Sequence, residues 1–123
     1  MITKNYIKMC EQAEEIQKEW RQENGDWVFW KVTNSIKIIT DHFFAESFKD
    51  FVWLPTLDQL FEIWCYLCGA TNFAGICQRM VECKRSKIVT YPNIRYIKEL
   101  CLEIIMKEFY NKIWTGEKWV KAE

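Results

Sequence analysis

The stretch from Met106 to Lys121 constrains the fold more than any other. Met106-Lys-Glu-Phe-Tyr-Asn111 ends an amphipathic helical pattern that runs out at Asn111. Two tryptophans, Trp114 and Trp119, then bracket Thr115-Gly116-Glu117, a turn signal in which Gly116 can supply a positive φ. A helix running straight into a reversing, tryptophan-flanked turn describes a folded edge of a small domain. It describes no chemistry.

At 123 residues the chain predicts a single globular domain spanning 1–123. Half of the residues are hydrophobic and 16% are aromatic, so a substantial core is expected and disorder is not. Seventeen basic residues balance seventeen acidic ones. That balance lacks the basic excess of a nucleic-acid binder, although a local patch remains compatible with it. Zero net charge favours partner binding or self-association, which leaves a homodimer open. No apolar run reaches the length of a membrane span, and the N-terminus has no leader-like apolar region. A cytoplasmic protein with free thiols is the expectation.

Along the chain, residues 4–20 carry a helical stripe of Tyr6, Met9, Cys10, Ala13, Ile16 and Trp20, stopped by Asn24-Gly25-Asp26. Trp27–Val32 and Ile36–Thr40 flank a polar turn and predict a β-hairpin over 27–40. Phe51–Leu54 suggests a third strand, closed by Pro55. Thr56-Leu-Asp-Gln59 fits a capping box for a helix through Leu60, Trp64 and Cys68 to Gly69. A further helix is expected over 72–84, a basic loop at 84–87, an extended run at 88–91, and a last helix from Asn93. The fold class is α+β: three or four helices packed on a small, mainly antiparallel sheet.

The cysteines at 65, 68, 77 and 83 are the one metal-like group. Four thiolates can hold zinc, but a zinc knuckle places its first pair in a turn, and here the pair ends an apolar helix. Buried thiols are the better reading, so neither a metal nor another cofactor is expected. The lone histidine, His42, has no evident nucleophile or second titrating partner, and no glycine-rich phosphate loop is present. No catalytic residues are assigned, and the chain reads as a non-enzyme.

Two surfaces compete as binding sites. Trp30, Trp114 and Trp119 are the tryptophans with the best case for exposure, and exposed tryptophan is common at protein interfaces. Trp20, Trp27, Trp53 and Trp64 fall in strands or apolar stripes and read as core. The second surface is the stretch 79–96, in which Arg79, Lys84, Arg85, Lys87 and Arg95 lie beside Tyr91 and Tyr96. Arginine and tyrosine together can stack on and clamp a nucleotide or single strand. The neutral overall charge favours a solvated loop there instead.

Three stretches together resemble a family of small phage and prophage accessory proteins of low-GC bacteria. They are Met9-Cys-Glu-Gln-Ala-Glu-Glu-Ile16 running on to Trp20 and Gly25-Asp26-Trp27, then Trp53-Leu-Pro-Thr-Leu-Asp-Gln-Leu60, then Met106 to Val120. The family pattern often has Arg where this chain has Thr56, and 69–92 has no counterpart in it. The resemblance transfers no catalytic residues. It implies the context of a short phage accessory gene. With no catalytic signature and with aromatics to spare, such a protein is expected to bind and inhibit a host protein, a defence effector such as a CRISPR nuclease first. The alternatives are a protein that sequesters a small-ligand or nucleotide signal and a nucleic-acid accessory factor, both through 79–96.

Overall fold

The computed structural model describes residues 2–41, 43, 49–68 and 97–122, with the Cys68 side chain excepted. The expected helix over 72–84, the extended run at 88–91 and the Asn93 cap lie outside these residues. Helices and small antiparallel sheets make the fold α+β. Two compact units are distinguished, Met1–Pro55 with Gly116–Lys118, and Thr56–Thr115 with Trp119–Glu123. No helix among the described residues is long and apolar enough to cross a membrane.

In the first unit, α1 (Lys4–Gln12) starts at Thr3, whose hydroxyl accepts the Tyr6 N–H at 2.9 Å. Tyr6, Met9 and Cys10 form its buried side. The helix does not continue to residue 20. It breaks at Ala13 (φ −87°, ψ 74°) and restarts as the short α2 (Glu14–Gln17). Alanine is the strongest helix former, so tertiary contacts rather than propensity impose this break. After the break Ile16 is fully buried and the Gln17 amide meets a strand.

That strand belongs to a three-stranded antiparallel sheet in the order β2-β1-β3. The elements are β1 (Trp27–Trp30), β2 (Ser35–Ile38) and β3 (Phe51–Trp53). Gly25 (φ 93°) and Asn34 (φ 55°) take the left-handed conformations needed just before β1 and in the β1–β2 turn. The buried Asp26 carboxylate accepts from the Trp20 indole at 2.8 Å and from the Glu23 N–H at 2.9 Å, fixing the entry to β1. Trp20 in turn stacks on Trp53, with ring centroids 6.4 Å apart. Tyr6 donates to the Pro55 carbonyl at 2.8 Å and ties α1 to the end of β3.

In the second unit the capping box forms as the sequence predicts. The Thr56 N–H donates to Gln59 Oε1 at 2.9 Å, and the Gln59 N–H donates to Thr56 Oγ1 at 3.2 Å. α3 (Leu57–Cys68) buries Leu60 and Trp64 and packs on α4 (Ile97–Tyr110). Cys101, Leu102, Ile104, Ile105 and Met106 of α4 are all buried, whereas Ile97 is exposed. α4 stops at Asn111 (φ 54°). The hairpin β4 (Lys112–Trp114) and β5 (Trp119–Lys121) follows, turning through Gly116 (φ 101°). Asn111 closes its open end: its carbonyl accepts from the Ala122 N–H at 2.7 Å, and its amide donates to the Ala122 carbonyl at 3.0 Å.

Gln17 makes two bonds to one strand residue. Its amide Nε2 donates to the Trp53 carbonyl and its Oε1 accepts the Trp53 N–H, both at 2.9 Å. Trp53 is buried, so losing the amide leaves two strand groups without partners. Gln17→Ala should therefore lower stability by about 2–3 kcal/mol. Chemical denaturation checks this; an unchanged midpoint would mean that the Gln17 bonds contribute nothing in solution.

Candidate functional site

The sheet has two edges, and they are treated differently. In the β1–β3 pairing the Leu54 N–H donates to the Trp27 carbonyl and the Lys31 N–H to the Asp50 carbonyl, each at 2.8 Å. Backbone alternation then turns the polar groups of Phe51 and Trp53 outward from the sheet. Gln17 occupies those of Trp53, and Phe51 is buried. The β3 edge is thus closed to an incoming strand at Trp53.

At the other edge, Ile39 exchanges bonds with β1: its N–H donates to the Asp26 carbonyl, and its carbonyl accepts from the Gly25 N–H. Alternation makes Lys37 and Ser35 inward-bonding residues as well, opposite Val28 and Trp30. The N–H and C=O groups of Ile36 and Ile38 therefore point off the sheet. None of the backbone hydrogen bonds among the described residues uses them. The next outward residue, Thr40, is taken up by a bridge to Phe43, with bonds of 3.0 and 3.2 Å. The open edge is confined to Ile36–Ile38.

The side chains along this edge are apolar on one face. Residues directly opposite in a sheet share a face, so Trp27 and Ile38 lie together, as do Phe29 and Ile36. Trp27 and Ile36 are each 38% exposed and Ile38 is 43% exposed. Phe29 and Ile36 also line a groove of about 610 Å³, together with Ile2, Ile7, Lys4, Lys8 and Glu11. The opposite face at this edge carries Ser35 and the exposed Lys37.

A second groove, of about 500 Å³, lies against Trp20 and Phe51. Lys18, Lys31 and Lys49 line it, but so do Glu11 and Glu14, and Lys31 pairs with Glu11 at 3.1 Å. This mixed charge gives no strong field for an anion.

The three tryptophans expected at the surface are not free anchors. Trp30 is half-buried in an aromatic cluster, stacked on Phe51 at 5.6 Å and edge-on to Phe43 at 5.4 Å. Trp114 is buried at 6% exposure, a correction to the expectation that it is a surface residue. Its ring packs against the half-buried Trp119 with centroids 5.1 Å apart, because register sets the two directly opposite across the hairpin. Trp27, expected in the core, is the exposed one. Arg79, Lys84, Arg85, Lys87, Tyr91, Arg95 and Tyr96 lie outside the described residues, as do His42, Cys77 and Cys83. Cys65 is half-buried on α3. Among the described residues no group of three or more metal-ligating side chains gathers.

Two acidic residues on α4 were not anticipated. Glu99 and Glu103, one turn apart, are both buried. Burial pushes the Glu103 carboxyl from 4.5 up to about 7, and the neighbouring Glu99 carboxylate adds to the rise. One Glu103 oxygen has no hydrogen-bond partner among the described residues. Burial also raises the Cys101 thiol to about 12, so it stays protonated and a poor nucleophile. Neither groove is lined by these groups. No family model, curated protein or solved structure matches the chain.

The Glu103 shift has a definite sign. Between pH 4.5 and about 7 the folded state holds a proton that the unfolded chain releases. Stability from this group is fully present below pH 4.5 and is lost as pH rises through 7. Glu103→Gln should therefore raise stability at pH 8, on the order of 1–3 kcal/mol, and change it little at pH 4.5. Denaturation at the two pH values checks this; an equal effect at both would remove the titration from the account.

Proposed function

We propose that the protein works by binding a protein partner rather than by catalysis, and that the partner is a host defence effector met in the host cytoplasm. The binding half of this reading rests on one observation: the exposed apolar strip of Trp27, Ile36 and Ile38 beside an open sheet edge. Apolar side chains grouped in this way at an unpaired edge mark interaction surfaces. The defence half rests on the resemblance to phage accessory proteins. Inhibition then follows from occupancy: a partner segment held on this surface is withheld from its own substrate or assembly.

Lys4, Lys8 and Glu11 line the groove that Phe29 and Ile36 share, so charged groups of both signs border an apolar centre, the usual layout of a protein–protein contact. A nucleotide-signal or nucleic-acid role would need the arginine and tyrosine side chains of 79–96, and the exposed strip offers no comparable stacking and anion-binding set.

The test is phage plating on a host with an active CRISPR nuclease that targets the phage. Expression of the protein should restore plaque formation by at least about a hundredfold. The double variant Ile36→Ser/Ile38→Ser should lose that effect while keeping its thermal midpoint within a few degrees, because both residues are already exposed. No restoration by the unaltered protein would sink the defence-effector reading. Full restoration by the folded double variant would sink the surface assignment.

A further inference from the structure

The protein binds its partner by strand addition: we infer that β2 takes up an extended, antiparallel partner segment carrying an acidic residue between two β-branched ones. This rests on the protein-binding reading above and specifies its mode and the chemistry of the recognised segment.

The argument starts from which backbone groups are available. Ile36 and Ile38 present their N–H and C=O groups off the sheet, and the Thr40–Phe43 bridge stops the edge on one side. On the other side Asn34 (φ 55°) turns the chain out of strand geometry. An incoming antiparallel strand therefore has one register that uses both outward residues. Its residues opposite Ile36 and Ile38 form hydrogen-bonded pairs, and the residue between them faces Lys37 in a close, non-hydrogen-bonded pair about 4.5 Å away between Cα atoms.

Each of the three positions has its own demand. Opposite Ile36 and Ile38, the incoming side chains fall on the face shared with Trp27 and Phe29, where β-branched apolar groups pack best. Opposite Lys37 the incoming side chain falls on the other face. Lys37 is exposed and makes no ion pair among the described residues, so a carboxylate is favoured there.

The same geometry argues against a second copy of the chain. A twofold β2–β2 pairing in that register sets Lys37 against the Lys37 of the other copy at the closest cross-strand distance, which is destabilising. Shifting the register to relieve the clash pairs Ile38 with the turn residue Asn34, or Ile36 with the bridged Thr40. A single lysine in the centre of an edge strand thus disfavours self-pairing while remaining complementary to an acidic partner.

The experiment uses the full chain and short fluorescent peptides, read by anisotropy. The probes contain a central Val-Glu-Val within polar flanks, the same peptide with Val-Lys-Val, and a Val-Glu-Val peptide N-methylated on the two valines. Val-Glu-Val should bind about fivefold more tightly than Val-Lys-Val, and Lys37→Glu should reverse that order. N-methylation should weaken binding at least tenfold, because it removes the donors that meet the Ile36 and Ile38 carbonyls. Ile38→Pro removes an outward N–H without touching the bonds to β1, so it should abolish peptide binding while the thermal midpoint holds. Ile36→Ala keeps the outward backbone groups and, if the proline variant fails to fold, serves in its place; it should retain the Glu-over-Lys preference with weaker binding.

Equal binding of the N-methylated peptide, or no charge preference, overturns strand addition. So does a stable dimer of the free protein that Lys37→Ala tightens or Ile38→Pro dissolves, since the occupant would then be a second copy. If the serine variants abolish protection against the defence nuclease while N-methylation leaves peptide binding intact, the binding surface stands and the strand mode alone falls.

Discussion

The first unit depends on the two bonds between the Gln17 amide and the backbone of Trp53. A three-stranded sheet has two raw edges, each with backbone groups that must find partners or water. By donating and accepting at one residue, the Gln17 side chain does what a neighbouring strand would do. To reach that position the first helix must break at Ala13, against the local preference for continuing. The break also brings Ile16 into the core and leaves Trp20 to stack on Trp53 and hydrogen-bond Asp26. One side-chain–backbone contact across 36 residues thus accounts for the path of the chain from Ala13 to Asp26.

Closing one edge concentrates binding potential at the other. A sheet with two open edges would be prone to add strands on both sides and to grow, whereas a sheet with one open edge can take only one. Ile36 and Ile38 give that edge apolar contact, and Lys37 between them sets a charge preference. Exposure of the strip costs solubility, and its confinement between the Asn34 turn and the Thr40–Phe43 bridge keeps the open stretch short.

Much of this was legible from residue order, for local reasons. The Thr56–Gln59 capping box, the stop at Asn111 and the positive φ at Gly116 depend on residues within a few positions of one another, and the structure has all three. The 27–40 hairpin and the strand at Phe51 follow from β-branched and aromatic runs. What was not legible depends on pairing between distant segments. Trp27 and Trp30 sit in the same run, and only the strand order leaves Trp27 on the half-covered face while Trp30 enters a cluster with Phe43 and Phe51. Trp114 and Trp119 bracket the turn that the sequence marks, but only cross-strand register shows that their rings pack on each other and that Trp114 is buried. The helical stripe over 4–20 concealed the break because Ala13 gives no sign of it. The one sequence mark of the open edge was Lys37 between two isoleucines, a pattern common to edge strands. Glu99 and Glu103 gave no mark at all, since a glutamate pair one turn apart on a helix reads as a solvated face.

Amide hydrogen exchange followed by NMR reads the two edges of this sheet in one experiment. The Trp53 N–H, bonded to Gln17, should be protected together with Leu54, Lys37 and Ile39, while the Ile36 and Ile38 N–H groups should exchange within about tenfold of the free-peptide rate. Slow exchange at Ile36 and Ile38, matching that of Lys37 between them, would mean that the β2 edge is already covered. That result would contradict the division of this sheet into one closed edge and one open edge.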